Sequence, residues 1–230
     1  MRNLQKKNYN LLKKNHVYSE NMEHDACGVG LVASTEGKKS REVVEYGIKA
    51  LKAVWHRGAI DADGKTGDGA GIHIEIPSEF FIEKIENYGR KYDGGVICVG
   101  MIFLPRNDYN SQEKCKTLVE KNLLNNDFAI YRWRQVPINS KVLGIKAENT
   151  KPEIAQILFT PKDKSFVGKK LERKLYETRR IIEKECKINN LNQFYICSFS
   201  SKSIIYKGMF LAEALSDFYL DLKDKRFVSR

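Results

Sequence analysis

Among its side chains, His24-Asp25-Ala26-Cys27-Gly28-Val29-Gly30 is the stretch whose residue types and spacing look arranged for chemistry. Cys27 stands before a glycine and a run of small apolar residues, with a polar, acidic segment on its other side. A thiolate is a strong nucleophile, but an unperturbed thiol titrates at about 8.5, so it needs a base or a positive neighbour to be ready at neutral pH. The histidines His16, His24, His56 and His73 have no spacing that marks a papain-like partner or a metal site. A second route needs no histidine. If the chain is cut between Ala26 and Cys27, the new α-amino group titrates at about 8 and can take the thiol proton itself. Residue types alone leave both readings open, with a small buried cysteine at a strand start as the simpler one.

Cys27, Cys98, Cys115, Cys186 and Cys197 are odd in number and contain no CxxC pair. That argues against a disulfide framework or a zinc site, and for a reducing, cytoplasmic setting. Three other motifs fail on inspection. Gly28-x-Gly30-x-x-Ala33 has the dinucleotide-binding string but no strand before it. Gly64-Lys65-Thr66 lacks the first glycine of a phosphate loop, because Ala59 stands there. Asp61-x-Asp63 begins like a calcium loop, but Ile72 replaces the closing glutamate.

The elements that must hold Cys27 read as follows. Residues 1–26 are polar, with scattered apolar positions, and are expected to be a flexible leader or propeptide. A strand is expected at 29–33, then a turn, then a helix over about 41–55 capped by Ser40 and carrying Val44, Ile48, Leu51 and Trp55 inward. It ends at His56-Arg57-Gly58. The next stretch, Asp61 to Gly71, has four glycines in its last eight residues, which calls for unusual backbone or close approach by another group. Ile72, Ile74 and Ile76 alternate as a half-buried strand stopped by Pro77, and Ser78 is a candidate cap for a short helix with Phe80, Phe81, Ile82 and Ile85.

Further on, 96–104 reads as a central strand, and a helix through Leu118, Val119 and Leu123 starts near Ser111. Strands follow at 128–134 and 153–159, with a short apolar segment at 142–145 between them. A long amphipathic helix covers about 168–187. Residues 193–199 and 203–207 look like a hairpin turning at Ser200-Ser201-Lys202, followed by a short helix near 210–216. Strands come in groups with helices between the groups, so the expected class is α+β, with mixed or antiparallel sheets, in one domain over 27–230.

With 230 residues, 42% hydrophobic and 30% charged, the composition is that of a globular protein. The net charge of +11 raises nucleic-acid binding. The lysines are spread along the chain and interleaved with glutamates rather than gathered in a patch, which favours solvated faces and no nucleic-acid partner. No apolar run has the length of a membrane span, so no membrane partner is expected.

The motif set Cys27-Gly28-Val29-Gly30-Leu31-Val32-Ala33, His56-Arg57-Gly58-Ala59, Asp63, Thr66-Gly67-Asp68-Gly69-Ala70-Gly71, Ile76-Pro77-x-x-Phe80-Phe81, Trp133-Arg134-x-Val136-Pro137 and Tyr206-Lys207-Gly208-Met209 resembles, in order, the start of the glutamate synthase large subunit. The resemblance implies a class II glutamine amidotransferase domain with the N-terminal-nucleophile hydrolase fold, an αββα sandwich of two antiparallel sheets between helices. It implies that a propeptide ending at Ala26 is removed and that Cys27 becomes the nucleophile. Glutamine would then pass through a thioester to glutamate and ammonia, and the ammonia would aminate 2-oxoglutarate elsewhere. Gly28, Arg57, Gly58, Asp68 and Gly69 fall in the supporting positions. The resemblance also implies, for the complete enzyme, FMN, an iron–sulfur cluster, and NAD(P)H or ferredoxin as electron donor. None of these cofactors is expected in this segment, and no metal. The implied partners are L-glutamine, the rest of the large subunit, and a small subunit or ferredoxin.

One departure tempers this. The family's substrate-gripping arginine and its oxyanion donors lie in HxRFSTN- and HNGEIN-type motifs, which would follow Val228-Ser229-Arg230. The expectation is therefore an N-terminal portion of the domain, impaired in activity alone, with an inert structural or partner module as the alternative.

Overall fold

The computed structural model describes residues 28–54 and 59–230, together with four isolated positions before residue 15. Ser40 is extended, and its hydroxyl accepts the Val43 N–H at 3.4 Å, which satisfies one orphan donor of helix α1 (Arg41–Ala53). Val44 and Ile48, four apart, form its buried stripe. Strand β1 (Ala70–Glu75) follows the glycine-rich loop. Helix α2 (Ser78–Glu86) begins directly after Pro77 and buries Phe80, Phe81 and Ile85. Pro77, not Ser78, holds the cap position, and no side chain caps this helix.

The central run folds as strand β2 (Cys98–Leu104), buried throughout except for the half-exposed Phe103. Helix α3 (Tyr109–Asn125) starts two residues before the expected Ser111, because Asp108 accepts both the backbone N–H and the hydroxyl of Ser111. Strand β3 (Phe128–Gln135) leads through a 3₁₀ turn at Ser140–Val142 to helix α4 (Ile145–Thr150), where the sequence had suggested only a short apolar segment. Strand β4 (Glu153–Pro161), helix α5 (Gly168–Ile188), strand β5 (Tyr195–Ser200) and strand β6 (Ser203–Gly208) follow. The chain closes with helix α6 (Leu215–Phe218) and 3₁₀ turns at Ala212–Ala214 and Leu220–Lys223.

The strands make two antiparallel sheets, one of order β3-β4-β2-β5 and one pairing β1 with β6. The class is α+β. Period-2 alternation sends the two faces of the larger sheet into separate cores. Val99, Met101, Ile154 and Leu158 pack with Ile74, Ile204 and Tyr206 of the smaller sheet. Cys98, Ile102, Ile157 and Phe159 lie under α3 and α5, where Leu171, Leu175, Ile182 and Cys186 keep helical spacing. Each such fully buried side chain contributes about 1.5–3 kcal/mol, so the two cores dominate stability.

Two expectations are overturned. Residues 29–33 are not a strand, and Val29 and Leu31 are 90% and 92% exposed. Apolar character alone does not make a strand; it needs a ladder partner and a surface to pack on, and among the described residues this backbone pairs with none. Residues 195–200 and 203–208 are not a hairpin, because β5 pairs with β2 and β6 pairs with β1. The turn lacks the Asn-Gly or Gly-containing pair that matches a tight two-residue hairpin. Instead, Glu172 of α5 accepts from Ser200 Oγ, Ser201 N–H and Ser201 Oγ, and steers the chain from one sheet to the other. In place of a ladder, the Ile205 N–H donates to Ser198 Oγ at 3.2 Å, and the Cys197 thiol donates to the Ile205 carbonyl.

Candidate active site

The glycine-rich stretch is shaped from within by Asp63. Its Oδ1 accepts the N–H groups of Lys65 (3.0 Å) and Thr66 (2.7 Å), and its Oδ2 accepts the Thr66 hydroxyl (2.6 Å). The hydroxyl and two amides hold the Asp63 carboxyl far below the usual carboxylate range. The knot then docks on the start of α4. Lys146 N–H approaches Asp63 Oδ2, Ala147 N–H donates to Thr66 Oγ1, and Lys146 Nζ donates to Asp61 at 2.6 Å. The Lys146 hydrogen bond lowers Asp61, and Asp61 raises Lys146 in return.

Beyond Thr66 the backbone has almost no room. A Cβ at Gly67 would lie 2.8 Å from the Phe210 backbone, which cannot swing aside. Gly69 has φ +133°, a conformation closed to side chains with a Cβ. The loop then enters β1, with Ala70 opposite Gly208. Asp68 and Gly69 are therefore exposed residues on a backbone fixed at both ends, by Asp63 and by β6.

Gly28 lies with Val29–Val32 along a cleft of about 420 Å³ that also involves Gly47 and Val54 of the α1 region and Gly71–Ile74 of β1. The structure thus brings Gly28 to the strand that the glycine-rich loop feeds. Cys27, Arg57 and Gly58 lie outside the described residues. So do His24, His56 and Trp55.

The four described cysteines are all buried. Burial pushes Cys197 up to about 11 and Cys98 higher still, so neither is a thiolate at neutral pH. This removes two competitors for the nucleophile. Among the described residues, no three His, Cys, Asp or Glu side chains converge as a metal site.

Behind β6 lies a buried polar cluster that sequence reasoning missed. Arg134 of β3 makes a bidentate pair with Asp221, at 2.7 and 2.5 Å, and donates to Gln156 Oε1 of β4 at 2.6 Å. Gln156 Nε2 reaches Tyr206 Oη at 3.1 Å, and that hydroxyl donates to Asp221 at 3.2 Å. Burial first, then the Asp221 charge, raises Tyr206 well above its ordinary value, so it stays a donor. Tyr219 donates to the Lys207 carbonyl at 2.8 Å, which fixes β6 just before Gly208. The only signal for this cluster was Trp133-Arg134 within the motif set. The role of Gly144 was also invisible: a Cβ there would meet Asp63 and Thr66 within 2.4 Å.

Residues 27–230 match the family described as glutamine amidotransferases class-II. The chain is 52% identical over 214 residues to a protein named glutamate synthase (NADPH) large chain from Azospirillum brasilense, covering 93% of this chain and 14% of that one. It is 41% identical to ferredoxin-dependent glutamate synthase 2 of Synechocystis, over 90% of this chain and 13% of the relative. To the chloroplastic ferredoxin-dependent glutamate synthase of rice it is 38% identical, with the same two coverages. The chain therefore spans only 13–14% of the length of these relatives.

Proposed function

Because the chain belongs to the class II glutamine amidotransferases over residues 27–230, we propose that it hydrolyses glutamine through Cys27 as the amidotransferase part of a glutamate synthase. The observation that carries this is a family match beginning at Cys27, joined to a glycine-rich loop held in one shape by Asp63. In this reading residues 1–26 are a propeptide, and the two antiparallel sheets belong to an N-terminal-nucleophile αββα sandwich.

The freed α-amino group takes the Cys27 thiol proton, and the thiolate attacks the glutamine carboxamide carbon. The C–N bond breaks as the amine returns the proton to nitrogen, releasing ammonia and leaving a glutamyl thioester. Water, deprotonated by the same amine, releases glutamate. Arg57 and Gly58 support the nucleophile, and Gly28, Asp68 and Gly69 shape the backbone around it.

Ammonia passes on for reductive amination of 2-oxoglutarate, and electrons come from NADPH, NADH or ferredoxin. The flavin mononucleotide and iron–sulfur cluster of such an enzyme are assigned to other parts of the protein. The four described cysteines are buried in apolar cores and do not fit a cluster. The remaining partners are L-glutamine, the rest of the large subunit, and a small subunit or ferredoxin.

The test is intact-mass analysis of the full-length gene product together with a glutaminase assay. Cys27 is expected as the first residue of the active enzyme, and Cys27→Ser is expected to abolish ammonia release. Full activity with residues 1–26 retained would sink the mechanism.

A further inference from the structure

Two of the buried thiols lie side by side on different helices. Cys115 is in the second turn of α3 and Cys186 in the last turn of α5, both at most 2% exposed and both in the core beneath those packed helices. Their side chains are hydrogen-bonded to each other. Cys98 and Cys197 offer a built-in contrast, since they sit on strands and belong to different cores. We infer that Cys115 and Cys186 form a disulfide modification site, oxidised by low-molecular-weight disulfides through opening of the last turn of α5.

The local structure provides that opening. After Cys186 the helix has one more turn, ending at Asn190 with φ +58°, and residues 187–190 are all exposed. Helix ends are the cheapest segments to open, and lifting this one uncovers both sulfurs. The hydrogen bond from Cys186 lowers Cys115 and raises Cys186, so Cys115 ionises first. Its thiolate attacks one sulfur of the external disulfide, which forms a mixed disulfide and expels one thiolate. The Cys186 thiol loses its proton as it attacks the Cys115 sulfur and displaces the second thiolate. Two protein thiols and one external disulfide become one protein disulfide and two external thiols. The protein loses two electrons and two protons, and the oxidant takes them up.

The bond would tie the start of α3 to the end of α5. These two ends form opposite walls of a groove of about 850 Å³, lined by Pro105, Asp108 and Ser111 on one side and by Asn190, Asn192 and Tyr195 on the other. Oxidation therefore fixes the width of that groove. It also closes a long stretch of chain, which constrains the unfolded state.

The test incubates the purified chain, carrying Cys27→Ser so that this thiol does not compete, with oxidised glutathione at mildly alkaline pH. The expected product has lost the mass of two hydrogens, carries no glutathione, and maps to a Cys115–Cys186 bond by peptide mass spectrometry. Its thermal midpoint is raised and returns to the starting value with dithiothreitol. Cys115→Ser or Cys186→Ser should stop the loss and leave the remaining thiol as a glutathione adduct. Because peptide mapping needs neither variant, a misfolded mutant leaves the result decisive. An unchanged thiol count, a stable adduct on the unmutated pair, or a bond through Cys98 or Cys197 would overturn the inference.

Discussion

The Asp63 knot and the Arg134–Asp221 pair are both carboxylates gripped by several donors, yet they stand in opposite surroundings. Asp63 draws its shortest contacts from Lys65 and Thr66, within three residues, on a loop near solvent. Asp221 is held by an arginine 87 residues away, with side-chain exposures of 8% for Arg134 and 4% for Asp221. Near water, each charge is already solvated, and a local grip changes stability little. In the interior, each charge has lost its water, and only complete pairing compensates. Gln156 and Tyr206 provide that completion by bonding atoms the ion pair leaves over. The comparison separates two jobs. The loop knot sets a backbone shape beside the proposed nucleophile, whereas the buried pair ties β3, β4 and β6 to the 220–223 turn.

The largest expected effect comes from breaking the buried pair on one side. Asp221→Ala leaves the Arg134 charge buried without its partner and should cost about 3–5 kcal/mol, read as a lower urea midpoint. The double variant Arg134→Met with Asp221→Leu should cost far less than the two single changes summed. A single-variant loss no larger than that of a surface pair would break the contrast. Gly67→Ala comes next. The Phe210 backbone cannot yield to the new methyl, so overpacking should cost about 1–3 kcal/mol in the same assay. Asp63→Ala is milder and should lower stability by about 1 kcal/mol, because water replaces the lost donors' partner. Its effect should fall instead on glutaminase kcat in the complete enzyme. A large stability loss with unchanged kcat would reverse the assignment of jobs.

What was legible in the sequence divides along the same line. The apolar run of β2 and the helical spacing of Leu171, Leu175, Ile182 and Cys186 announce their elements, because burial there repeats with a local period. The glycine-rich loop was legible as unusual backbone, and Gly69 at φ +133° bears that out. The partner of Arg134 was not legible, since nothing local marks Asp221, 87 residues on. The division of β5 and β6 between sheets was hidden for a related reason. Glu172, which steers that turn, sits 28 residues before Ser200 on another element. The strand expected at 29–33 failed because apolar residues specify a strand only together with a neighbour. Of the site residues, Gly28, Asp68 and Gly69 are placed, while Cys27, Arg57 and Gly58 fall outside the described residues.

The smallest effect sharpens the comparison most directly, because it reads the loop without a mutation. The Thr66 hydroxyl and the Thr66 and Lys65 amides favour ionised Asp63, so its folded carboxyl titrates well below the unfolded one. A depressed carboxyl contributes stability that is present above its unfolded value, about 3.9, and that is lost as pH falls through the folded value. The same sign holds for Asp224, which Arg226 holds at about 2. The Lys65 and Thr66 amide resonances should therefore stay fixed from neutral pH down past about 4, and move only in stronger acid. Asp63 is open to solvent, so added salt should weaken its attraction to Lys146 but leave the Thr66 bonds in place. A titration midpoint near 4 at the Thr66 amide would mean that the knot does not grip its carboxylate. The loop would then owe its shape to Gly67 and Gly69 alone.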